Sequence, residues 1–283
     1  MKKITKSLKL SELTIATWTL CICAVVVISA TATFFGYSQS FFENITVEAH
    51  GMVMDLAVIG VFTLWLNNKV RTRNINLGYL EQIDDFRNWN SEEASFRVAG
   101  LIKRLNRNGE TKIDIHQCFI KGVRLESLKI EDSNCYQTNF NNSSMKNVEF
   151  INCKLKGSSF RQLSASSITF EHCFMRIIQS QNAEITGSSF LDCDLVRANF
   201  RNTDLKGTIF KDSDLEDTVF ENANLENTNF LGCKNLTLSQ ILTARSIKSI
   251  KLEPDLLTEL KVNHPAKVKC FRAANGEIYI TVQ

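Results

Sequence analysis

Charge imbalance is the first thing missing. Lys and Arg number 33 and Asp and Glu 30, a formal net charge of +3 over 283 residues. That is too near neutral to mark a nucleic-acid binder. Histidine is scarce, and His50, His116, His172 and His264 lie in separate segments. No P-loop, dinucleotide-binding glycine motif, HExxH or CxxC occurs. His172 and Cys173 are neighbours, but one is expected to point out and the other in, so they make no nucleophile pair. These absences exclude the common catalytic motifs. No enzyme is expected, and no catalytic residue, cofactor or metal site is assigned.

Residues 115–230 also lack the usual periods, since neither 3.6 nor 2.0 fits them. What is there instead is a period of five. Every fifth residue from Ile115 to Phe230 is large and apolar, with Ser180 the one plainly polar member, and no insertion breaks the register. Two residues before each lies a mostly small column, including Cys118, Ser143, Cys153, Ser158, Ala183, Ala198 and Thr203. The plainest copies are Ala198-Asn199-Phe200, Thr203-Asp204-Leu205, Ser213-Asp214-Leu215 and Ala223-Asn224-Leu225. This pattern resembles the pentapeptide-repeat family. The resemblance implies an all-β solenoid, a right-handed quadrilateral parallel β-helix of about six coils with four repeats per coil. It implies no reaction.

With that coil, each residue stacks on the one twenty positions later. The large column then divides into two Phe-rich faces, through Phe160 and Phe200 and through Phe170 and Phe190, and two aliphatic ones. Where a large position shrinks, its small partner grows: Leu163 accompanies Ala165, and Ile178 accompanies Ser180. Close packing demands such compensation. Of the 9 Cys, Cys153, Cys173 and Cys193 stack on successive coils. Parallel strands about 4.8 Å apart aim such thiols poorly for disulfides, and a thiolate metal site would need converging ligands. They read as reduced, buried small side chains, which suits a cytosolic compartment.

Charge is absent altogether from residues 13–37, long enough to cross a bilayer. A second apolar stretch, 51–66, is broken only by Asp55. Two transmembrane spans, at about 13–37 and 46–68, are therefore expected as a hairpin. Lys2, Lys3, Lys6 and Lys9 precede it, Lys69, Arg71 and Arg73 follow it, and 38–50 holds no Lys or Arg. The positive-inside rule places both termini and the β-helix in the cytoplasm, at a bacterial inner membrane.

The expected organisation is a transmembrane hairpin (1–70), a helical linker (71–110), the repeat β-helix (111–235) and a helical C-terminal cap with a small β-hairpin (236–283). In the linker, Asn90 reads as the N-cap of a helix bearing Ala94, Val98, Leu101, Ile102 and Leu105, ending at Asn108-Gly109, with Leu77, Leu80, Ile83 and Phe86 on a helix before it. It serves as a lid on the first coil, or as a spacer or oligomerising pair. Beyond Cys233, helices are expected near Thr237 and after Pro254, then two strands around Asn275-Gly276.

Two features exceed structural need. Glu48 and Asp55 share one side of the second span. They form either a polar seam that joins subunits or lines a water path, or a headgroup-level Glu48 with Asp55 bonded to Thr31 or Thr33. On the β-helix, Ile151, Phe174, Ile177 and Leu191 occupy outward positions and gather along one edge, rimmed by Arg176, Asp192 and Asp194. Such a cluster marks a protein contact unless the terminal helices or the 267–282 hairpin cover it. The resulting expectation is a membrane-anchored scaffold binding an unidentified protein, with homo-oligomerisation open. The alternative is an oligomeric membrane-perturbing effector of the cell-suicide or phage-defence type. Relatives in the family act as DNA mimics on type II topoisomerases, and 191–230 is acidic. Basic residues on earlier coils and the expected anchor count against that mechanism.

Overall fold

In the computed structural model, residues 22, 25, 29, 39–272 and 278–282 are described. The chain divides into two compact units, Met1–Val70 and Arg71–Gln283.

The second unit is a β-solenoid. Its regular strands are β1 (Arg124–Glu131), β2 (Ser144–Ile151), β3 (Ser164–Ser166), β4 (Thr169–Glu171), β5 (Glu184–Thr186) and β6 (Ser189–Leu191). All pair in parallel with the segment twenty residues on: Leu125 with Met145, Met145 with Ala165, Ala165 with Ile185. These strands make about three turns. Isolated parallel bridges continue the same offset from Phe119 through Asn139, Ser159, Gln179 and Asn199 to Val219.

Each column has a physical reason. The large side chains fill the interior, where Phe150, Phe170, Phe190, Phe210 and Phe230 stack at 4.9–5.3 Å between ring centroids. Across the interior the two Phe faces meet edge-on, as Phe140 with Phe150 at 6.0 Å and Phe160 with Phe170 at 5.9 Å. Both arrangements are the favoured ones for aromatic quadrupoles. Where the small column holds Ser, Thr or Cys, it commonly does more than save space. Its hydroxyl or thiol donates to the carbonyl of the large residue 23 positions earlier, as Thr138 to Ile115, Ser158 to Cys135, Cys173 to Phe150 and Ser213 to Phe190. Ser, Thr and Cys interchange there because each is small and carries a donor. No disulfide joins the described cysteines, and burial pushes the Cys118 thiol up to about 11.

At the corners, the second residue after a large position has positive φ in most repeats, for example Asn142, Asn182, Asn202 and Asn222. Asn and Gly tolerate this left-handed region best. Gly232 is fixed for a second reason: a Cβ there would meet Asp212 Oδ1 at 2.5 Å.

Helices accompany the coils. α1 spans Gln39–Asp85 and α2 spans Glu92–Arg107. Ser91, not Asn90, caps α2: it has extended geometry, and its side chain accepts the Ala94 N–H at 3.0 Å. Ile83, Val98, Leu101, Ile102 and Leu105 are buried and belong to the same apolar cluster as the coil interior. After the repeats come α3 (Leu238–Leu242), capped by Thr237 with Gln240, and α4 (Pro254–Asn263). Leu238, Ile241 and Leu260 join the core. β7 (Val268–Arg272) and β8 (Ile278–Val282) pair antiparallel, and Asn275-Gly276 lies outside the described residues.

The expected membrane spans are not shown: among the described residues no helix is long and apolar enough to cross a membrane. The expected second span, about 46–68, lies within α1. The first expected span, 13–37, lies outside the described residues apart from Ile22, Val25 and Ser29.

Candidate functional site

One face of the solenoid is built on the bridged column Asn134, Lys154, Phe174, Asp194, Asp214 and Lys234. The strand ends put Ile151, Glu171 and Leu191 in register beside it, because β2, β4 and β6 finish together. On the other side runs the turn containing Arg176 and Ile177. The four apolar residues singled out from the sequence therefore flank or occupy a single face. Phe174 is 38% exposed and Ile177 is 42% exposed, while Ile151 and Leu191 are half-buried.

Polar groups rim them. Arg176 Nε donates to Asp194 at 2.7 Å, and its guanidinium lies 5.8 Å from the centre of the Phe174 ring. The hydrogen bond it donates to Asp194 raises the Arg176 pKa further. His172 Nδ1 is 2.9 Å from Asp192. Val196, an outward position that sequence reasoning did not flag, is 6% exposed and extends the apolar surface inward.

The backbone at this face is strained. Ile177 has φ 54°, a left-handed conformation that costs an L-residue about 1–2 kcal/mol and is a genuine outlier for a β-branched one. One coil earlier or later the same corner holds Gly157 and Arg197. Beneath, Phe160, Ile168, Met175, Ser180 and Phe190 pack together and leave no space for a water-sized group. Ser180 Oγ is buried there without a hydrogen-bond partner. Leu163 and Ile178 are buried beside Ala165 and Ser180, so volume is compensated there while the Ser180 hydroxyl is left without a partner.

In the first unit, Glu48 and Asp55 are both exposed on α1, and Thr31 and Thr33 lie outside the described residues. Around Asp55, Met52, Leu56, Val58, Ile59, Val61, Phe62, Leu64 and Trp65 are each more than half exposed. Among the described residues, no group of three or more His, Cys, Asp or Glu is placed to hold a metal ion.

Comparison with known proteins bears on the coils. The family model for pentapeptide repeats matches residues 122–162 and 181–212, in eight copies. No curated protein matches the chain. Among solved structures, QnrB1, a plasmid-mediated fluoroquinolone resistance protein, is 10% identical with a TM-score of 0.30, over 51% of this chain and 95% of that one. The pentapeptide repeat protein Rfr23 from the cyanobacterium Cyanothece 51142 is 17% identical with a TM-score of 0.23, over 41% and 88%. A pentapeptide repeat protein of the Arabidopsis thaliana thylakoid lumen is 15% identical with a TM-score of 0.18, over 56% and 84%.

Proposed function

From the premise that residues 122–162 and 181–212 are pentapeptide repeats, we propose that the chain is a membrane-anchored, non-enzymatic scaffold. Its solenoid, about six coils closed by α3 and α4, docks a protein on the face bearing Phe174 and Ile177, on the cytoplasmic side. The observation that carries the docking face is Ile177: an exposed β-branched residue held at φ 54° beside an exposed Phe174. Folding alone favours Asn or Gly at such a corner, so an apolar residue there points to a contact. Anchoring is supported by the apolar side chains exposed on every side of α1 between Leu56 and Trp65, a pattern that suits lipid better than water. Lys2, Lys3, Lys6 and Lys9 before, and Lys69, Arg71 and Arg73 after, favour retention of both termini on the cytoplasmic side.

The membrane-perturbing effector remains the second reading, favoured by the exposure of Asp55 amid that apolar surface. An Asp55→Leu variant separates the two: an effector loses membrane activity, whereas a scaffold stays anchored and binds as before. The docking face is tested by the Phe174→Asp/Ile177→Asp double variant. It is expected to fold, stay in the membrane fraction and lose its bound protein. Full retention of binding would refute the face.

A further inference from the structure

The helices that open the second unit are polarised in charge from end to end. Between Arg71 and Asp85, α1 carries Arg71 and Arg73 first and Glu81, Asp84 and Asp85 last. In α2 the order is reversed, with Glu92 and Glu93 in the first turn and Lys103, Arg104 and Arg107 towards the end. These two stretches lie antiparallel. Asn108 Nδ2 donates to Oδ1 of the buried Asn76 at 2.7 Å, and the Arg104 guanidinium lies 5.8 Å from the centre of the Tyr79 ring. Further along, Gln82 and Phe86 line one groove with Phe96 and Gly100. Folding therefore collects the bases at one end of the pair and the acids at the other. Arg87 and Arg97, at the acidic end, are taken up by Asp84 and Glu93.

We propose that the basic end is a docking surface for a membrane leaflet containing anionic phospholipid, whose headgroup phosphates are held by Arg71, Arg73, Arg104 and Arg107. This rests on the anchoring proposed above and adds to it a lipid class and the residues that recognise it. All four arginines are exposed, and none forms an ion pair among the described residues. Arg71 and Tyr79, which marks the level of Arg104, are separated by about 12 Å of helix at 1.5 Å per residue. Long arginine side chains narrow that span, so all four can meet one layer of headgroups. A planar guanidinium binds phosphate through paired N–H donors. No acid occurs between Asp55 and Glu81, so this part of the chain brings no carboxylate to an anionic layer. Glu110, the first acid after α2, is half-buried, and its side chain accepts the Lys112 N–H at 3.3 Å.

Helix stability alone does not explain the pattern. Acids first and bases last suit the dipole of α2, but α1 ends on acids with no base in its last turn, where the dipole disfavours them. Arg71 and Arg73 lie too far inside α1 to feel either end. What the two helices share is the end at which their bases stand. An anionic surface facing that end accounts for both.

Native mass spectrometry of the full-length chain in mild detergent tests this, with phosphatidylglycerol and phosphatidylcholine of the same acyl chains at equal concentration. The parent is expected to carry phosphatidylglycerol over phosphatidylcholine about tenfold or more. Arg104→Gln/Arg107→Gln, on the helix remote in sequence from the anchor, is expected to cut that ratio about threefold or more. Adding Arg71→Gln/Arg73→Gln should bring it close to one. Lys146→Gln/Lys154→Gln/Arg161→Gln/Arg201→Gln removes as much charge from the solenoid and is expected to keep the parent's ratio. Melting curves establish that each variant is folded, and the two double variants carry the test should the fourfold one not fold. A parent without preference, a folded Arg104→Gln/Arg107→Gln variant with the parent's ratio, or an equal loss in the solenoid variant overturns the proposal. Anchoring is read separately, by alkaline extraction of membranes without detergent. If the chain is released there, the anchoring fails and flotation of the released chain decides the surface by itself. Flotation with phosphatidylglycerol vesicles and not with phosphatidylcholine vesicles upholds it, and flotation with neither overturns it.

Discussion

Residues 198–230 and residues 163–180 belong to one solenoid but are built differently. In the first stretch the two inward columns keep strict order: Phe200, Leu205, Phe210, Leu215, Phe220, Leu225 and Phe230 behind Ala198, Thr203, Thr208, Ser213, Thr218, Ala223 and Thr228, all buried. In the second, Leu163, Ile168 and Ile178 crowd the small column while Ala165 and Ser180 deplete the large one. The unpartnered Ser180 hydroxyl, the left-handed Ile177 and the exposed Phe174 all fall in it. The irregular coil gives up polar satisfaction and backbone ease where apolar groups face outward, as expected where a surface is shaped for contact.

The largest effect lies in the regular stretch. Phe200→Ala removes a fully buried ring from a stacked column and is expected to cost about 3–5 kcal/mol in urea unfolding. Met175→Ala, in the irregular coil, removes a flexible, unstacked side chain and should cost less than that. Equal losses would erase the distinction between the coils. Next in size is a gain. Ser180→Ala removes a buried, unbonded hydroxyl without adding volume. It is expected to raise stability by about 0.5–2 kcal/mol. A loss on calorimetry would mean that the hydroxyl is satisfied in solution.

How much of this was legible in the sequence differs by column. The inward columns were, because a five-residue repeat returns each position to the same environment without a break in register from Ile115 to Phe230. The role of the small column was only half legible: its size is in the letters, but the donation from Cys173 to the Phe150 carbonyl appears only when coils stack. The left-handed corner was written in the recurring Asn at 182, 202 and 222, yet that signal is drowned by the other polar surface residues. Val196 was missed since its place in the repeat is an outward one, and its burial at 6% exposure has no sign in its own five residues. The α2 cap slipped by one because Asn90 and Ser91 are both good caps and only backbone geometry chooses between them.

Smaller effects sharpen the same comparison. Cys118 and Cys233 sit near opposite ends of the solenoid, and burial pushes their thiols from 9.0 up to about 11 and about 12. The raised values favour the protonated form in the folded chain. Their contribution is therefore complete below about pH 9 and is lost as pH rises through 11–12. Thermal midpoints are expected to hold level to pH 9 and fall above it, with Cys118→Ala flattening part of the fall. Smallest of all is Arg201→Ala, which breaks an exposed pair with Glu221 at 2.7 Å. It should change stability by less than about 0.5 kcal/mol, and a larger loss would mean that outward residues of regular coils also carry the fold.

The central claim is that the irregular coil trades stability for contact, and Ile177→Asn measures both sides in one protein. Asn accepts the left-handed corner with less strain and offers no apolar surface. Urea unfolding and capture of the docked protein by the same preparation are expected to show stability raised by about 1 kcal/mol and capture weakened. Unchanged or lower stability together with parent-like capture would contradict the claim.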